Sequence, residues 1–182
     1  NPKHNMIEKH DLTQLASLIE EEEFKQYFLG EPGRDHYYLL ASFSFLQDNT
    51  TLLDIGTYKG CSALALSLNP TNKVISFDIV GGLTRLKAVP SNVEFRIADV
   101  ISGEYDQLIL ASPLILLDTE HKGPYEHAFY QHLKAIKYKG KLLLDDIHLN
   151  TEMESFWNTI EKPKQDITEH GHYTGTGIVE FE

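Results

Sequence analysis

The sequence predicts an α/β chain, with a central, mostly parallel seven-stranded sheet and helices on both faces. Three observations predict it. Short apolar runs trade places with helix-like stretches from Leu52 almost to the end. A glycine turn, Gly56 to Gly60, joins the first of these runs to a helix start. Several runs end in aspartate, at Asp78, Asp118 and Asp145, which sets carboxylates along one edge of the sheet.

The elements follow in order. Leu12, Leu15, Leu18, Ile19, Phe24, Tyr27 and Phe28 recur at roughly helical spacing until Gly30, Pro32 and Gly33 interrupt them. A second helix starts near His36, carries Leu40, Ala41 and Phe45, and ends at the turn Asp48-Asn49-Thr50. Strands are expected at 52–55, 74–77, 93–97, 114–117, 141–144, 165–168 and 177–181. Helices are expected at 62–68, 105–111, 124–138 and 152–160. The helix at 124 is the best punctuated, with Gly123 before it, Pro124 at its first position and Lys134, Lys137 and Lys139 at its end before Gly140. No repeat or composition break marks a boundary. The expectation is one domain over 1–182, with N-terminal helices at about 8–46 and an α/β core at about 50–182.

Composition narrows the function classes. An apolar fraction of 41% supports a packed core, and a formal charge of −11 disfavours non-specific attachment to nucleic acid or to an anionic membrane. The single cysteine, Cys61, makes an internal disulfide impossible and agrees with a reducing compartment. The first residues, Asn1 to Lys9, are polar with no secretory apolar region after them, and Met6 is a candidate start. A soluble, cytoplasmic chain is the expectation, with a homodimer compatible with it.

The glycine turn sits in Leu52-Leu53-Asp54-Ile55-Gly56-Thr57-Tyr58-Lys59-Gly60-Cys61-Ser62. Gly56 and Gly60 permit close backbone approach, the following helix start offers free N–H groups, and Asp54 is placed to accept from an amino group. The spacing is neither GxGxxG nor GxxxxGK[ST], so a cofactor gripped through a pyrophosphate is disfavoured. Asp78, ending the next strand, is placed to accept from ribose hydroxyls, and Asp99, after the third, from an adenine amino group.

With LLDIGTYKG at 52–60, FDI at 77–79 and IADV at 97–100, the chain resembles the class I methyltransferases, Rossmann-like enzymes that use S-adenosyl-L-methionine (SAM). The resemblance runs from about His36 to Phe181. It implies that the loop Asp54 to Gly60, including Gly56 and Thr57, lines the methionine and ribose region. It also implies that Asp78 with Ile79 holds the ribose, and that Asp99 with Val100 flanks adenine.

Two further strand ends carry acids. Leu114–Leu117 leads into Asp118-Thr119-Glu120-His121, and Leu142–Leu144 into Asp145-Asp146-Ile147-His148. Asp118, Asp145 and Asp146 crowded together need a proton or a hard divalent cation such as Mg2+. ILLDTEH at 115–121 and LLLDDIH at 142–148 resemble the metal-dependent, catechol-type O-methyltransferases, which implies Asp118, Asp145 and Asp146 as metal ligands. Asp146 stands where those enzymes have asparagine. His121 stands where they have a catalytic lysine, with Lys122 one place further on. A neutral His121 is then the candidate base, with His148 a second catalytic candidate and a small hydroxylated molecule the acceptor.

The stretch Glu169 to Gly177, with His170 and His172, reads as the hairpin between the last two strands, where His172 or Tyr173 overhangs the substrate. A zinc site there is disfavoured because no cysteine accompanies the histidines. Two rival readings remain: a SAM-binding or regulatory protein without transfer activity, and a nicotinamide dehydrogenase, which the missing third glycine disfavours.

Overall fold

A computed structural model describes residues 9–182; the expected helix onset near residue 8 and the candidate start Met6 lie outside them. The seven strands are β1 (Thr51–Ile55), β2 (Lys73–Asp78), β3 (Val93–Ile97), β4 (Leu114–Leu117), β5 (Lys141–Asp145), β6 (Lys164–Asp166) and β7 (Thr176–Glu180). They form one sheet in the order β3-β2-β1-β4-β5-β7-β6. The first five run parallel, and β7 is antiparallel to both β5 and β6.

Alternation along the strands separates two apolar layers, because successive side chains of a strand point to opposite faces. Leu52, Leu116 and Leu143 face a layer capped by the N-terminal helices α1 (Thr13–Ala16), α2 (Glu22–Leu29) and α3 (Arg34–Ser44), together with α4 (Cys61–Leu66). Leu53, Ile115, Leu142 and Leu144 face the other, capped by α5 (Asp106–Ala111), α6 (Pro124–Ala135) and α7 (Thr151–Thr159). With both faces covered, the central strands are buried runs such as Leu114–Leu117.

Sheet order positions the site. The chain winds outward from β1 to β3 and then returns to β4 on the other side of β1. The crossovers leaving β1 and β4 therefore diverge, opening a crevice at their carboxyl ends.

At three places packing moves an element away from its expected bounds. The first helical stretch is broken after α1, because Ile19, 1% exposed, pairs its backbone with Leu86 while Lys87 N–H donates to the Leu18 carbonyl at 2.7 Å. The helix expected to reach Tyr138 stops at Ala135; Lys137 turns left-handed and Tyr138 folds back so that its hydroxyl donates to the Ser112 carbonyl at 2.8 Å. The strand expected at 165–168 ends at Asp166, whose Oδ1 accepts from Thr168 N–H at 2.9 Å and starts a 3-10 turn over Thr168–His170. No helix among the described residues is long and apolar enough to cross a membrane.

Candidate functional site

The glycine loop is shaped by its neighbours. Gly56 has φ +104°, and a Cβ there would lie 1.7 Å from the Asp118 carbonyl oxygen. The close approach it permits is thus to the backbone leaving β4. Gly60, at φ +88°, opens α4 with Thr84 Cγ2 3.2 Å from where a Cβ would be. Between them Tyr58 takes a left-handed turn, its N–H donating to Asp78 Oδ2 at 3.0 Å.

Asp54 corrects an expectation. It is fully buried, and its two oxygens accept from Ser62 Oγ at 2.8 Å and Ser76 Oγ at 2.6 Å. Both oxygens are taken by serine hydroxyls, and the side chain ties β1 to β2 and to the start of α4. Burial pushes its carboxyl up to about 7, against the two serine hydrogen bonds. Thr57 is buried on the same network, its Oγ1 2.5 Å from Ser76 Oγ.

A cavity of about 260 Å³ opens beside the loop, with Phe77, Asp78, Ile79, Ala98, Val100 and Tyr125 among its walls. It is mostly apolar, with Asp78 at the end of β2 as an acidic edge. Ile79, 59% exposed, stands at its mouth and Val100 at its buried floor. Asp99, exposed between the lining residues Ala98 and Val100, accepts through Oδ1 from Tyr125 O–H at 3.2 Å and Ile101 N–H at 3.2 Å. Tyr125, in the first turn of α6, supplies part of the wall.

A second cavity, of about 450 Å³, shares Gly56, Tyr58, Asp118 and Thr119 with the first. Its far side is Phe24 and Tyr27 of α2 and Tyr37 of α3, so the N-terminal helices do form a wall. Asp118 and His121 belong to its lining, and Asp145 and Asp146 meet them there from β5 and the turn after it. Nε2 of His121 lies 2.8 Å from Asp118 Oδ1, 3.2 Å from Asp146 Oδ2 and 3.8 Å from Asp145 Oδ2. Ligand atoms of all four residues fall within 4.8 Å of one another. Adjacent Asp145 and Asp146 both reach the cluster because the backbone turns left-handed at Asp146, whose N–H donates to the Gly175 carbonyl at 2.8 Å.

This donor set fits a divalent cation. Three carboxylates surround one small volume, and the buried Nε2 of His121 finds no well-aligned hydrogen bond among the described residues. Burial, then the charge of Asp145, raises the Asp118 carboxyl, while His121 opposes the rise. His121 answers to the same charges. Burial works against its charge, but the Asp118 contact and the fields of Asp146 and Asp145 outweigh it and lift the ring to about 9. The surrounding acids thus favour the charged ring, and a divalent cation competes with its proton for the same charge.

His121 is held from two sides. The buried carboxylate of Glu126 accepts from Gly123 N–H at 2.8 Å and His121 N–H at 3.3 Å, and also from the Thr119 hydroxyl. Asn150, which caps α7, donates from Nδ2 to the His121 carbonyl at 2.8 Å. Neither residue was singled out in the sequence, although an acid three places after Gly123 at a helix start is a capping signal. Lys122, one place on, is exposed.

His148 is a further correction: it is absent from both cavity walls and from the acidic cluster, and its ring bridges Asp166 at 2.6 Å and Glu154 at 3.5 Å. His172 and His36 lie instead on the other side of Asp145. Burial holds His36 below the usual histidine range against the pull of Asp145, whereas His172, despite burial, is raised by its Asp145 contact.

No family model matches the chain, and neither does any curated protein sequence. Solved structures do. The O-methyltransferase TomG from Streptomyces achromogenes, involved in tomaymycin synthesis and in complex with SAM, matches with TM-score 0.62 at 15% identity, over 98% of this chain and 92% of that one. The SAH-bound Podospora anserina methyltransferase PaMTH1 matches with TM-score 0.59 at 13% identity, over 80% and 79%. An O-methyltransferase from Bacillus cereus in complex with SAH matches with TM-score 0.52 at 14% identity, over 82% and 81%.

The fold is the class I methyltransferase fold. Within this methyltransferase fold both cavities open at the carboxyl ends of β1, β2 and β4, in the crevice where strand order reverses.

Proposed function

We propose that the chain is a SAM-dependent methyltransferase that transfers a methyl group to a hydroxyl oxygen of a small molecule, assisted by a divalent cation such as Mg2+. The observation that carries this reading is the continuity of the two cavities through Asp118. One end is an apolar slot with an acidic edge, and the other a carboxylate and imidazole floor.

In this reading Phe77, Val100 and Tyr125 would hold the adenosine, Asp78 would accept from the ribose and Ile79 would close the mouth. The methionine part follows Gly56, Thr57 and the start of α4. Asp118, Asp145 and Asp146 hold the cation. When bound, SAM supplies an electrophilic methyl on a sulfonium and the cation supplies positive charge near the acceptor oxygen. Phe24, Tyr27 and Tyr37 exclude water and orient the acceptor. Its hydroxyl would give its proton to His121, whose ring becomes available as a base once a cation takes over the charge of the acids. The oxygen forms a bond to the methyl carbon as the carbon–sulfur bond breaks. A cytoplasmic location belongs to the proposal, supported by the lone, buried Cys61.

Calorimetry of the purified chain with SAM and with NAD, each with Mg2+ and with a chelator, tests the reading. Saturable SAM binding is expected, and binding of NAD alone would overturn it. Asp118→Asn should weaken Mg2+ binding while SAM binding stays within about tenfold. If a survey of small hydroxylated acceptors gives no transfer while SAM still binds, the alternative of a non-catalytic binding protein is favoured.

A further inference from the structure

Two histidines that the proposed transfer does not use meet at Asp145. His36 comes from the first turn of α3, Asp145 ends β5, and His172 lies in the loop before β7. His36 and Asp145 are each 5% exposed, and the His172 side chain is 13% exposed. Nε2 of His172 lies 2.7 Å from Asp145 Oδ1, and Nδ1 of His36 lies 3.8 Å from the same oxygen. The two rings stand nearly perpendicular, at 83°, with centroids 4.6 Å apart. The three ligand atoms fall within 4.8 Å of one another.

A hydrogen bond that anchors the loop before β7 to β5 accounts for His172 and Asp145. It leaves His36 unexplained. Nδ1 of His36 is buried, directed at Asp145, and has no hydrogen-bond partner among the described residues. A buried acceptor or donor left without a partner is costly, and such groups are rare in native cores. The ring packs edge-on against Tyr37, with centroids 5.1 Å apart, a contact that does not require a nitrogen. The other nitrogen of His172 meets the Thr174 hydroxyl, so Nε2 is the atom presented to Asp145. Such an outer partner is what orients a ligating imidazole.

Asp145 divides its oxygens. Oδ1 faces His36 and His172, while Oδ2 faces His121 and the acidic cluster. Two imidazoles and one carboxylate suit a borderline ion, whereas an all-carboxylate set suits a hard one. The absence of cysteine near His170 and His172 therefore does not argue against zinc, as catalytic zinc is held by histidine and carboxylate alone in some enzymes.

We propose that His36, Asp145 Oδ1 and His172 form a second divalent-cation site, selective for a borderline ion such as Zn2+ or Co2+ over Mg2+, beside the carboxylate site and joined to it through Asp145. Its ligands come from α3, β5 and the segment before β7, so the ion pins the N-terminal helices and the last hairpin to the end of the central sheet. Three protein ligands leave a tetrahedral ion one exchangeable position. This site stands whether or not the chain transfers methyl groups.

The test is zinc calorimetry on the chelator-stripped full chain in excess Mg2+, together with proton NMR of the Co2+-loaded chain. One equivalent of Zn2+ should bind despite the Mg2+. His36→Gln and His172→Gln should each weaken it by more than about 100-fold, the upper end of what loss of an outer partner costs. Asp118→Asn should leave it within about tenfold. The Co2+ form should show two paramagnetically shifted, exchangeable imidazole N–H signals, and each histidine variant should lose one. Unchanged zinc affinity in folded His36→Gln would overturn the proposal, as would loss of zinc in Asp118→Asn alone. If both histidine variants fail to fold, the wild-type spectrum decides: two shifted signals support the site and none rejects it.

Discussion

Gly56 and Asp118 touch through the backbone: the Asp118 carbonyl oxygen occupies the space a Cβ on Gly56 would need, 1.7 Å away. The loop after β1 and the exit of β4 therefore move as one piece, which keeps the slot at Asp78 in register with the acids beyond Asp118. Gly56→Ala meets both this overlap and the left-handed φ of +104°. A loss of about 2–3 kcal/mol is expected, lowering the Tm by roughly 5–10 °C. Thermal denaturation measures it, and an unchanged Tm would show that the loop does not pack this way.

Asp54 predicts a pH dependence. Its folded carboxyl is raised from an ordinary value near 3.8 to about 7 by burial. Between those values the folded chain binds more protons than the unfolded one, so stability falls as pH rises from about 4 to about 7, and this contribution levels off above. Asp54→Asn removes the proton-linked part. Urea unfolding of both proteins at pH 5 and pH 7.5 should show a smaller loss on alkalinisation in the variant, and equal losses would refute the assignment.

Tyr125 is expected to matter for the nucleoside slot through its ring more than through its hydroxyl. The hydroxyl bonds Asp99, which is exposed, whereas the ring forms cavity wall. Tyr125→Phe should leave SAM affinity within about twofold, and Tyr125→Ala should weaken it about tenfold, some 1.4 kcal/mol. Calorimetric titration with SAM distinguishes the two.

Glu126 organises the loop that carries Thr119 and His121 without lining either cavity. Glu126→Ala leaves the Gly123 and His121 amides without their carboxylate, so a stability loss of about 2–4 kcal/mol is expected. Divalent-cation affinity should fall with it, while Glu126→Gln, which keeps one acceptor oxygen, should lose less. Urea melts and Mn2+ calorimetry check both effects. A Glu126→Ala protein with normal cation affinity would separate the loop from the cluster.

Much of the site was legible because strand ends are local features. Asp78, Asp118, Asp145 and Asp146 follow apolar runs, and parallel strands deliver their carboxyl ends to one edge, so the sequence places these acids together. Asp54 was legible as a strand residue but not by its direction: one residue before the strand ends, its side chain points into the core against Ser62 and Ser76. His148 was misread for a related reason. It follows the acids in sequence, but its ring bridges Asp166 at the end of β6 and Glu154 on α7.

The sequence by itself determined the sheet, its two covered faces and the edge at which the acids gather, because hydrophobic period and turn chemistry act over a few residues. Only the tertiary structure decided that Gly56 yields to the Asp118 backbone, that Tyr125 joins the cavity wall, and that His36 and His172 meet at Asp145. These pairings join residues far apart in the chain. Their distances follow from how helices seat on the sheet, which no local pattern encodes.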